Sequence, residues 1–138
     1  MPVAVDYVDV VEREQPATFH VNATGAVTLA EVDDLFHEIQ THSRFVPGVR
    51  ILADARDVSD VPPTSEIRLI AGMLGALATM GLGPVAIVAG NTFVYGVSRM
   101  LATLAEPLCV SIQPFRRMDD AMHWLDAEAE ARRATPAF

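Results

Sequence analysis

At 138 residues, 51% of them hydrophobic, the chain has the size and apolar content of one domain with a substantial core. A formal charge of −8 argues against a nucleic-acid partner, because phosphate contacts need clustered cations. No lysine is present, so every fixed side-chain cation is an arginine, and the single cysteine, Cys109, excludes an intramolecular disulfide.

Residues 3–11 are rich in valine, but their alternation slips between Tyr7 and Val8, which predicts an edge strand or a bulge. A turn is expected at Glu14–Pro16. Ala17, Phe19 and Val21 then alternate with Thr18, His20 and Asn22, as in a strand with one wet face. Residues 23–26, with Gly25, read as a second turn. Thr28 and Glu31 have the spacing of a capping box, with Val27 and Val32 as its hydrophobic staple, so a helix should begin at Leu29. Its buried stripe is Leu29, Val32, Leu35, Phe36 and Ile39.

Pro47 bars continuation of that helix, and a short strand is expected over about 50–54. It gives way to a polar loop holding Asp54, Arg56 and Asp57. A helix from Thr64 or Ser65 to Met80 follows, N-capped by one of those hydroxyls and burying Ile67, Ile70, Met73, Leu74 and Leu77. Gly72, Gly75 and Ala76 leave it a smooth face, where Met73 and Met80 could line an apolar cleft or a dimer interface. Gly81, Gly83 and Pro84 end it.

Val85–Ala89 is continuously apolar, as in a central strand covered on both sides. Further elements are a helix over 95–105, a strand over 109–113 and a helix over 119–132. Asp119 and Asp120 suit the positive amino end of the last helix, and Trp124, with Ala121 and Leu125, should dock it on the core. Cys109 sits in an apolar run and reads as a buried structural thiol. The tail, 133–138, is expected to be loose. The order is β-β-α-β-α-β-α-β-α: an α/β fold with a mostly parallel, mixed five-stranded sheet and four helices in one domain over 1–138.

If the strands are parallel, the residues just past their carboxyl ends gather on one rim, where open α/β sheets bind ligands. The candidate ligand-binding set is Asp54, Arg56, Asp57, Asn91, Tyr95 and Arg99, with Arg116 and Arg117 beyond the last strand. Arg56 and Arg99 would suit a small anionic or amphipathic ligand. His20, His37, His42 and His123 lack metal-ligand spacing, and no phosphate-cradling loop or nucleophile elbow is present. No catalytic residue, metal or cofactor is assigned.

Residues 25–125 resemble the small bacterial relatives of the STAS domain, the fold of sulfate-transporter tails and anti-sigma-factor antagonists. The likeness lies in Phe45–Val58, Tyr95–Met100 and Phe115–Leu125, and it extends distantly to CRAL-TRIO lipid-exchange domains. It implies a single-layer STAS-like α/β architecture and a non-enzymatic regulatory, scaffold or ligand-binding role. In phospho-switched members the switch serine lies where this chain has Ser59, Thr64 and Ser65. Pro62-Pro63 stands in place of the family's Ser-Gly element, and no efficient switch is expected.

The amino terminus lacks a basic region followed by an apolar signal core, and no apolar run reaches bilayer length, so a soluble cytoplasmic protein is expected. The first functional reading is a module that binds a protein partner or small ligand at the rim, as a homodimer. The alternative is an apolar-ligand or membrane-surface module with a cleft against the second or third helix. An enzyme is the third class.

Overall fold

The computed structural model describes residues 3–8 and 17–134, with side chains over 17–131. The elements are β1 (Val3–Val8), β2 (Thr18–Ala26), α1 (Leu29–Thr41), β3 (Arg50–Asp60), α2 (Thr64–Thr79), β4 (Val85–Ala89), α3 (Thr92–Ala105), β5 (Ile112–Phe115) and α4 (Met118–Ala134). The expected turn at Glu14–Pro16 lies outside the described residues, as does the tail beyond Ala134.

Strands β2, β3, β4 and β5 pair in parallel, and β1 runs antiparallel along the outer side of β2. The count of five expected from sequence therefore includes β1; the parallel sheet holds four. The sheet is also not a single layer with its helices. Ile51, Val85 and Phe19 belong to one core with residues of α1, α2 and α3, while the alternate residues Leu52, Ala86 and Val88 pack against Ala121 and Leu125 of α4. The three connecting helices pack on one face, as crossovers of a single hand between successive parallel strands require, and α4, which connects no strands, covers the other.

Several expected boundaries hold because local chemistry sets them. The helix α1 begins at Leu29, with Thr28 Oγ1 accepting from the Glu31 amide (3.3 Å) and the Glu31 carboxylate accepting from the Thr28 amide (3.1 Å). The strand β4 spans Val85–Ala89, buried from both sides. At the end of α2, Gly81 adopts φ +110°, and a Cβ there would stand 2.8 Å from Pro47 Cα. Its carbonyl accepts from the Gly48 amide at 2.7 Å, fastening the helix end to the start of β3.

Other expectations are corrected. The strand β3 runs on through Asp60, so Asp54, Arg56 and Asp57 lie in strand and not in a loop. Residues 23–26 are strand too, because Thr24, Gly25 and Ala26 pair with Asp57, Val58 and Asp60 across two register shifts. Ladder hydrogen bonds and burial of Val58 outweigh the poor strand propensity of aspartate. Pro63, with no side-chain bond, is the N-cap of α2, so neither Thr64 nor Ser65 caps it. The helix α3 starts three residues earlier than expected, capped by Asn91, whose Oδ1 accepts from the Val94 amide at 2.8 Å. The strand β5 begins only at Ile112, after a 3₁₀ turn over Glu106–Leu108. Cys109 ends that turn in the left-handed region (φ 63°) and is exposed, not buried. Helix α4 does belong to the core, through buried Ala121 and Leu125, with Trp124 half-buried beside Phe115 at 5.7 Å.

Candidate functional site

The carboxyl ends of the parallel strands bring part of the expected set together. Arg56 Nε and Nη2 donate to the two oxygens of Asp54 at 2.9 and 2.8 Å, a fork-to-fork pair two residues apart on one strand face. Those hydrogen bonds hold the Asp54 carboxyl below the usual aspartate range against the opposing effect of burial, and raise the Arg56 guanidinium in turn. Asp57 is exposed farther along β3. The position after β4 is sterically exclusive: a Cβ on Gly90 would stand 2.1 Å from the Arg56 carbonyl oxygen, so the turn into α3 passes directly over the β3 backbone.

Asn91 is occupied as the α3 cap. Tyr95 packs beside Ala55, Val58, Ala89 and Val94, and its ring lies under the Arg116 guanidinium, 5.2 Å from the centroid. Arg56 lines a cleft with Arg116, Arg117, Met118 and Asp119, at the start of α4. Arg99 instead lines a groove between α3 and β5, with Tyr95, Thr103 and Gln113. Arg56 and Arg99 thus line separate clefts.

A second feature lies inside the domain. Between the sheet and helices α1, α2 and α3 there is a cavity of about 170 Å³. The sheet contributes Val21, Ala23, Ile51, Ala53, Ala55 and Ile87. Above them stand Leu35 and Phe36 of α1, Ile70 and Leu74 of α2, and Val97 and Leu101 of α3. Toward the rim the lining continues through Val27, Val58, Val61 and Pro62. Val27 and Val61 are half-buried there, and the Val27 amide donates to the Asp60 carbonyl at 3.0 Å, tying the two loops together.

The walls carry a single polar side chain, Ser98 of α3. It is 6% exposed, and its hydroxyl donates to the Val94 carbonyl at 2.8 Å, one turn back along the helix. Such a chamber offers no acid–base pair and no charge; what it can do is exclude water from an apolar guest. An engineered apolar cavity of about 150 Å³ takes up benzene, so this volume is on the scale of one small ring or branched alkyl group.

Sequence periodicity marks the lining residues only as core. The hint it does carry is the row of small residues, Ala23, Ala53 and Ala55, on the sheet face beneath the crossover helices. The expected cleft against α2 exists, but beneath Ile67, Ile70 and Leu74; Met80 and Gly72 lie on the exposed side of that helix. Among the described residues, no group of three His, Cys, Asp or Glu could hold a metal ion, and no helix is long and apolar enough to cross a membrane.

No protein-family model matches the chain, and no curated protein matches it. A solved structure does. It is an uncharacterized protein of the DUF3478 family from Shewanella loihica PV-4, with a SpoIIAA-like fold. It is 15% identical, with a TM-score of 0.60, and the match covers 89% of this chain and 93% of that one. At that identity the likeness speaks for architecture alone: this chain has a SpoIIAA-like, STAS-like α/β fold.

Proposed function

We propose that this protein is a non-enzymatic ligand-binding module that takes a small apolar molecule into the cavity beneath α1, α2 and α3. The observation that supports it is the chamber itself: about 170 Å³ bounded by aliphatic and aromatic side chains, with one internally bonded hydroxyl. Native interiors are close-packed, with few voids larger than a water molecule, so an apolar recess of this size that opens toward the surface is a place where a guest can bury apolar area. The rim reading has less support, because Arg56 is engaged by Asp54 and Arg99 faces elsewhere.

Titration with toluene, followed by the amide resonances of the full chain, tests the reading. Saturable shifts centred on Ala53, Ile70 and Val97 are expected, and Ala53→Leu, which fills the chamber from the sheet side, should abolish them while the protein stays folded. Shifts that fail to saturate, or that survive Ala53→Leu unchanged, would overturn it.

A further inference from the structure

Helix α2 turns an uncharged face to solvent. Ser65, Leu69, Gly72, Met73 and Ala76 recur along it at three- and four-residue spacing, with Met80 at its end. Leu69 is 56% exposed, Met80 is exposed and Met73 is half-buried. Helix α3 packs alongside α2 and adds Phe93, 57% exposed. From Ile67 to Ala105, through both helices, a chain with 18 acidic residues has none. The two arginines of that stretch lie to the sides: Arg68 flanks the α2 stripe, and Arg99 lines the groove toward β5. On neighbouring α1, by contrast, the exposed side carries Asp33, Asp34 and Glu38.

The order of large and small residues along α2 is self-complementary. Consider an antiparallel pair of α2 helices with a two-fold axis between Gly72 and Met73. Met73 then lies over the partner's Gly72, Leu69 over the partner's Ala76 and Met80 over the partner's Ser65, so each large side chain meets a small one. A Cβ on Gly72 would meet nothing within 4 Å in this chain, so the backbone there is bare and a second helix can approach it closely.

We infer that the α2–α3 face is where two copies of this chain associate, antiparallel through α2 and with Phe93 at the flank. Its lack of charge decides the occupant as much as its shape does. Interface cores are depleted of charged residues, and a second copy of this face brings apolar area and no carboxylate to desolvate. An anionic lipid surface would need clustered cations to hold a body of net charge −8, and two arginines do not supply them. Both copies are acidic and the α1 carboxylates flank the joint, so salt should strengthen the association by screening their repulsion.

Sedimentation velocity of the full chain over a concentration series tests the inference. Wild type is expected to pass from monomer to dimer with a Kd on the order of 10–100 µM, as for a small interface, and to associate more tightly at high salt than at low. Leu69→Glu places a carboxylate on the face and should weaken the dimer at least about tenfold, with the fold intact by circular dichroism. Gly72→Leu separates this joint from a merely sticky surface. The added side chain enters open space in the monomer and favours helix, but at the axis it collides with the partner's Met73. The dimer should therefore be lost although the face has become more apolar. A wild-type protein that stays monomeric up to about 1 mM would overturn the inference. So would a dimer that survives both substitutions, or one that Gly72→Leu strengthens. Flotation of monomeric wild type with phosphatidylglycerol vesicles would assign the face to a lipid surface and overturn it as well.

Discussion

On the α4 face of the sheet, Leu52, Ala86 and Val88 meet Ala121 and Leu125 directly, whereas on the α1–α3 face the strand and helix side chains stand apart around about 170 Å³. The two faces use similar residue types, and the contrast comes from how the helices are held. Helices α1, α2 and α3 are each joined to a strand at both ends, whereas α4 is joined to one only. Ala23, Ala53 and Ala55 lie beneath them, too short to fill the remaining space. On the other face, Ala86 and Ala121 are both fully buried, and the absence of bulk there lets the helix backbone approach closely.

The comparison predicts unequal responses to substitution. Leu125→Ala removes a side chain that is 3% exposed from the closely packed face and should cost about 2–5 kcal/mol, read by denaturant unfolding. A much smaller loss would mean that this face has slack as well. Trp124→Ala should cost about 2 kcal/mol, below the usual value for a buried tryptophan, because the ring is half-buried and leans on Phe115.

Thr28→Ala breaks the capping box of α1 and should cost about 1 kcal/mol. Hydrogen exchange sharpens the contrast, since amides of α1, a cavity wall, should lose protection before those of α4. Ala53→Leu should move stability by less than about 1 kcal/mol in either direction, since the space it enters already exists. A severe loss would mean that the chamber cannot accommodate even a native side chain.

The smallest effect belongs to the rim. Asp54 is held below the ordinary aspartate range in the folded protein by Arg56, so its pairing stabilises the fold above the unfolded aspartate value. That contribution is lost as pH falls through the depressed folded value. Wild type should thus be slightly more stable than Arg56→Gln at neutral pH, and the gap should close in strong acid. Both partners are solvent-accessible, which keeps the difference small. A gap that persists at the acid end would assign the effect to packing and not to charge.

Periodicity, caps and breakers in the sequence were sufficient for the α/β class, the order of elements, the start of α1 at its capping box and the span of β4, because these depend on neighbours within a few residues. The Asn91 cap of α3 was equally local, an asparagine before a periodic apolar run, and a closer reading of that position would have found it. The length of β3 was not local. Asp54, Arg56 and Asp57 read as loop because aspartate disfavours strands, and only pairing with the far end of β2 holds them extended. Cys109 looked buried by its apolar neighbours until the 3₁₀ turn rotated it outward. The placement of Arg56 and Arg99 in separate clefts, and the chamber between sheet and helices, rest on distances set by crossover geometry across the whole sheet. A sequence reports which side chains are apolar and at what spacing; whether they touch is decided only when the strands and helices that carry them are brought to a fixed separation.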